Sequence, residues 1–148
     1  MEHYYDVNVM WEADRQGVLS STVLPQTIDV ATPPEFPKGM AGIWSPEHLL
    51  VGAVSSCLMT TFLAIAENSK LEFKAFQCAA TGKLELIEGK YMISEIELKP
   101  VVTLKEGKDR ERAERIVQKA EAACLITNSI KSKVTMLTRT EVKDPASV

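Results

Sequence analysis

Residues 45–66, SPEHLLVGAVSSCLMTTFLAIA, begin with the signals of a helix start. Ser45 is a strong N-cap, Pro46 suits the first helical position because its missing N–H would be unpaired there anyway, and Glu47 lies near the positive end of the helix dipole. From there Leu50, Val54, Cys57, Thr61 and Ile65 recur at steps of three and four, and Leu49, Ala53, Leu58 and Phe62 widen the apolar cover. Few positions are left for water, so the spacing predicts a central helix held between a sheet and a further layer. Gly52, Ala53, Ser55 and Ser56 would let another backbone approach closely. Polar residues return at Glu67, Asn68 and Lys70. The helix also carries Cys57 on an apolar face, where a thiol by default only packs.

On the N-terminal side, residues 4–12, 18–23 and 27–30 are rich in β-branched and aromatic types, which predicts two or three antiparallel strands. Ala13-Asp14-Arg15-Gln16-Gly17 suits a tight turn with Arg15 at or near its tip. Residues 31–46, ATPPEFPKGMAGIWSP, hold four prolines and two glycines and predict a loop with little regular structure. On the C-terminal side, residues 72–86 and 91–104 read as a hairpin turning at Glu88-Gly89-Lys90, with Pro100 marking a bend or an edge. Residues 109–124 form an amphipathic helix with Ala113, Ile116, Val117, Ala120 and Cys124 inward and a charged outer face. A last strand is expected over 133–142. The order β, β, β, α, β, β, α, β makes an α+β domain with two helices covering sheet.

Length and composition agree with one domain, 1–148, with its core at about 7–142; 45% hydrophobic residues over 148 positions build a single core. A net charge of −3 without a long basic block argues against a nucleic-acid partner. The first thirty residues have no basic start followed by an apolar run, and Leu49–Ala66 is interrupted by Gly52, Ser55, Ser56, Thr60 and Thr61. Neither a leader nor a membrane span is therefore expected. Three cysteines at wide spacing, Cys57, Cys78 and Cys124, fit neither a disulfide framework nor a zinc knuckle, and point to a reducing cytoplasm. With only His3 and His48, a metal site is not expected. Trp11 and Trp44 read as core or pocket wall, Cys78 as packing and His48 as a surface residue at the helix start.

Two segments then acquire meaning together. Ser45-Pro46-Glu47-His48-Leu49-Leu50 leading to Cys57, and Ala120-Glu121-Ala122-Ala123-Cys124-Leu125-Ile126-Thr127-Asn128-Ser129, resemble the OsmC/Ohr family of osmotically inducible and organic hydroperoxide resistance proteins. Trp11-Glu12-Ala13-Asp14 resembles the first strand of its OsmC branch. The resemblance implies an OsmC-like fold of antiparallel sheets around a buried helix, an intertwined homodimer, and a thiol peroxidase without metal or flavin. Cys57 would be the peroxidatic thiol and Cys124 the resolving one, joined by a disulfide after turnover. The substrate would be an organic hydroperoxide in an apolar pocket lined by residues such as Leu50, Met59 or Trp44. The reductant would be a dithiol, for which the family offers a lipoylated protein.

The chemistry asks for a lowered thiol pKa. Arg15 is the candidate cation and Glu47 the carboxylate that would hold it by a bidentate pair. Ten residues of helix separate Glu47 from Cys57, about 15 Å, so Glu47 would act on the Cys57 of a second copy. Each has a plainer reading: Glu47 as a helix-start residue, Arg15 as an exposed turn arginine. The family commonly has proline after its second cysteine, where this chain has Leu125. The alternative function is a non-enzymatic dimer that binds a small apolar ligand in the cleft between subunits.

Overall fold

The computed structural model describes residues 1–143, which divide into two compact units, Met1–Leu50 and Val51 onward. In the first, β1 (Asn8–Ala13), β2 (Gln16–Ser21) and β3 (Leu24–Ala31) form an antiparallel meander in that order. The first strand starts at Asn8 rather than at residue 4. Its turn is Asp14-Arg15, with Asp14 at φ 50°, a left-handed conformation that aspartate tolerates better than most residues. Gly17 is required two residues later, because a Cβ there would stand 2.7 Å from the Met10 carbonyl oxygen.

All six residues of β1 are exposed, and Trp11 and Trp44 keep 74% and 58% of their surface in solvent. The expectation that both tryptophans line a core or pocket wall is thus corrected for Trp11. A three-stranded sheet in a unit of this size has too little mass of its own to cover both faces. Trp11 instead folds over its turn, its indole N–H donating to the Asp14 carbonyl at 3.0 Å. The proline-rich loop is tied down by its backbone. Phe36 N–H donates to Pro33 O (3.1 Å), Gly39 N–H to Phe36 O (2.9 Å), Met40 N–H to Thr32 O (2.8 Å) and Ala31 N–H to Trp44 O (2.9 Å).

Helix α1 (Pro46–Asn68) is one unbroken element of 23 residues. Ser45 caps it as expected: the His48 N–H donates to Ser45 Oγ at 3.2 Å, and that hydroxyl is in turn 2.6 Å from His48 Nδ1. The helix is long and apolar enough to cross a membrane by those criteria alone, which a core helix also meets. Val54, Leu58, Phe62 and Ala66 make a fully buried four-step stripe. This narrows the expected apolar cover, since Ser56, Met59, Thr60, Leu63 and Ala64 are exposed.

The second unit adds β4 (Phe73–Ile87), β5 (Lys90–Leu104), α2 (Arg110–Ala122), β6 (Lys133–Met136) and β7 (Arg139–Val142). Glu88 and Gly89 turn the β4–β5 hairpin, both with positive φ (50° and 78°), as a two-residue primed turn requires. β6 and β7 run parallel to β5 on its other side, because the chain returns through α2 instead of by a hairpin. The stripe of α1 packs with Ile96, Leu98, Val102 and Leu104 of β5 and with Ala113, Ile116, Val117 and Ala120 of α2. Phe62 stacks on Phe76 with ring centres 4.8 Å apart and meets Phe73 edge-on at 5.1 Å.

One expectation changes here. Pro100 does not lie on an edge strand: it is fully buried in β5, a continuous strand between β4 and β6, and is paired with Cys78. The interruption falls on the neighbour, where the single strand expected over 133–142 breaks at Leu137-Thr138 into β6 and β7. β6 pairs with β5 up to Leu98 and β7 resumes at Val101, so the gap faces the residue that has no N–H to give. Within the chain, close approach to α1 is made at another glycine. A Cβ on Gly52 would meet nothing within 4 Å, whereas one on Gly82 of β4 would lie 2.5 Å from Val51 Cγ2 on α1. Val51 is β-branched and cannot swing away freely. Gly82→Ala is therefore expected to lower stability by about 1–3 kcal/mol, read as a drop in the denaturant midpoint at unchanged slope.

Candidate active site

Cys57 lies on α1, half-buried, and Cys124 follows the last turn of α2, fully buried. The fold brings these two free thiols together although 67 residues separate them, because α1 and α2 pack on the same β5 core. Their surroundings drive them apart electrostatically. Burial pushes the Cys57 thiol up. Against it act hydrogen bonds from the Cys124 thiol, the Ile126 N–H, the Thr61 hydroxyl and the Leu125 N–H, which together bring it below its ordinary value. Thr61 stands one turn along the helix, its Oγ1 4.0 Å from Cys57 Sγ. Burial also raises Cys124, and a charge on Cys57 raises it further, more than the Thr127 hydroxyl and N–H lower it. The pair therefore loses its first proton chiefly from Cys57, with Cys124 left as the donor to it.

The other expected site residues lie in the first unit. Arg15 is exposed at the β1–β2 turn, where its carbonyl accepts the Thr32 N–H at 3.2 Å. It lines a surface cavity of about 430 Å³ with Asp14, Lys38 and Met40. Glu47 is half-buried in the first turn of α1, and no ion pair joins it to Arg15 within the chain among the described residues. Trp44 lines a second cavity, about 330 Å³, with Thr27, Ile28, Asp29, Gly42 and Ile43. His48 is exposed, as expected, and its ring meets Trp44 edge-on. Cys78 packs against the core from β4, and burial raises its thiol, which fits a packing role.

The donors around the two sulfurs were not singled out from the sequence as chemical groups. Thr61 carried a signal, the four-residue step from Cys57. The amides of Leu125 and Ile126 carry none, because every residue except proline has one.

The chain matches the family described as OsmC-like protein over residues 39–139. It is 26% identical over 147 residues to the uncharacterized protein YmaD of Bacillus subtilis, with 96% of each chain covered. Its fold is that of an OsmC-like protein from Vibrio cholerae (TM-score 0.82, 21% identity, covering 93% of this chain and 99% of that one). It is likewise that of an organic hydroperoxide resistance protein OsmC from Legionella pneumophila (TM-score 0.74, 21% identity, 95% and 100% covered). With two thiols of opposite tendency on the α1–α2 core of such a fold, and with the family match spanning more than half of its length, the chain belongs to the OsmC-like family.

Proposed function

We propose that this protein is a cysteine-based peroxidase that reduces organic hydroperoxides. The observation that carries the reading is the asymmetric pair: a half-exposed thiol lowered by several donors, beside a buried thiol that stays protonated. The Cys57 thiolate attacks the distal oxygen of the hydroperoxide, the O–O bond breaks, and the alkoxide leaves with the electron pair and takes up a proton from water. Cys57 is then a sulfenic acid. Cys124 gives up its proton and attacks the Cys57 sulfur, the S–O bond breaks, and water leaves, closing a disulfide. The sum is two thiols and one hydroperoxide giving a disulfide, an alcohol and water. An external dithiol, of which a lipoylated protein is one class, reopens the disulfide, and the reducing cytoplasm is the compartment where three free cysteines persist.

The reading includes a homodimer. Met59 and Leu63 on the outer side of α1, and Val9, Met10 and Trp11 on β1, are exposed apolar groups of the kind a second copy covers. In such a dimer Glu47 would serve the Cys57 of the second copy, with Arg15 as the cation it anchors.

One equivalent of cumene hydroperoxide added to reduced protein tests the activity. The expected result is the loss of two hydrogens in intact mass, with stoichiometric cumyl alcohol within seconds. Slow oxidation spread over all three cysteines would sink the peroxidase reading.

A further inference from the structure

A serine or threonine inside a helix commonly turns its hydroxyl back onto a carbonyl three or four residues earlier. Of the four on α1, three do so: Ser55 donates to Gly52 O, Ser56 to Ala53 O and Thr60 to Cys57 O, each at 3.2 Å. Thr61 has no such carbonyl acceptor among the described residues. Its Oγ1 stands instead 4.0 Å from Cys57 Sγ, a contact in which either group can donate.

The reason lies in the Cys57 carbonyl, the acceptor four residues back that the Thr61 hydroxyl would otherwise take. Both of its lone pairs are in use, one on the Thr61 N–H of the helix ladder and the other on the Thr60 hydroxyl. β-Branching leaves Thr61 few side-chain rotamers. With the carbonyl filled, the rotamer that turns its oxygen toward sulfur gives up no backbone bond.

We propose that Thr61 is a positioning residue for the Cys57 thiol, its hydroxyl donating to the ionised sulfur, and that Thr60 keeps this hydroxyl available by occupying the Cys57 carbonyl. In the neutral thiol the S–H points at Oγ1; once that proton leaves for solvent, the hydroxyl turns and points its own proton at the sulfur. A hydrogen bond to the charged form is the stronger of the two, so the exchange favours ionisation. Burial pushes the Cys57 thiol up, and this hydroxyl is among the donors that bring it below its ordinary value. Thr61 acts on a hydroperoxide only through the sulfur. Its use in peroxide reduction rests on the function proposed above; its effect on Cys57 ionisation does not.

The test is the rate of Cys57 alkylation by iodoacetamide against pH, read by peptide mass spectrometry on the reduced full chain. Thr61→Val keeps the branched shape and removes the hydroxyl. It is expected to raise the midpoint of the profile by about half a pH unit, about threefold in rate on the rising limb. Thr61→Ala, which removes the hydroxyl without putting a methyl in its stead, is expected to show the same rise, and Thr61→Ser, which keeps the hydroxyl, to stay at the wild-type midpoint. A role in packing alone would alter the plateau, through access to the sulfur, and leave the midpoint where it was. A wild-type midpoint in Thr61→Val and Thr61→Ala, or an equal rise in Thr61→Ser, overturns the assignment.

The part given to Thr60 is read in the same profile. Thr60 is exposed, and Thr60→Val reopens the Cys57 carbonyl as a competing acceptor for the Thr61 hydroxyl. The midpoint is expected to rise in the same direction by less, and Thr60→Val added to Thr61→Val to change nothing further. A wild-type midpoint in Thr60→Val, or a further rise in the double variant, overturns the part of Thr60. A wild-type protein inert to cumene hydroperoxide, with the midpoint raised in Thr61→Val, would discard the peroxidase reading and keep the role of Thr61; an active protein whose midpoint Thr61→Val leaves in place would do the reverse.

Discussion

Replacing Cys57 by serine is expected to lower cumene hydroperoxide turnover more than about a thousandfold, with no change in intact mass after one equivalent of peroxide. The serine would keep the same neighbours, the Thr61 hydroxyl and the Leu125 and Ile126 amides, so the variant isolates the atom from its surroundings. Those donors bring a thiol below its ordinary value; an alcohol begins far above the thiol range and stays protonated. The wild-type rate carries the corresponding pH signature. The thiolate is the reactive form, so the rate rises as pH rises through the Cys57 value. It levels off below the ordinary thiol range, because that value is lowered. Cys124, raised by its burial and by the charge beside it, is still protonated in that window and remains a donor. Turnover in Cys57→Ser within tenfold of wild type would assign the chemistry to Cys124 or Cys78 instead.

Cys124→Ser separates the two steps. The first oxidation needs only Cys57, and the expected product after one equivalent is one added oxygen, trapped by dimedone, where wild type loses two hydrogens. Catalytic turnover with a dithiol falls by about a hundredfold or more, since resolution now depends on an external thiol reaching a half-buried sulfur. With excess peroxide the sulfenic acid proceeds to sulfinic acid and the protein is lost irreversibly. If Cys124→Ser still closed an intramolecular disulfide, Cys78 would be the resolving thiol; its position on β4, packed against the core, argues against that.

The elements were legible where local chemistry sets them. Ser45, Pro46 and Glu47 fixed the start of α1, Asp14 the first turn and Glu88-Gly89 the long hairpin, because caps and turns depend on the residues in them and their immediate neighbours. The inward face of α2 was readable in full, since its charged residues leave one apolar stripe. On α1 the pattern failed: with apolar residues on most sides, periodicity could not say that Val54, Leu58, Phe62 and Ala66 face the core while Met59 and Leu63 face out. Pro100 misled for a related reason, because whether a strand tolerates proline depends on what its neighbour does at that height.

The sequence by itself determined the family, the order of strands and helices as far as α2, and the two cysteines worth watching, all properties carried by side chains at short range. Only the tertiary structure decided that Cys57 and Cys124 are neighbours, and that their surroundings lower the first thiol and raise the second. The physical reason is that burial and hydrogen bonding set a thiol's charge, and both come from groups distant in the chain or from backbone atoms that nearly every residue shares.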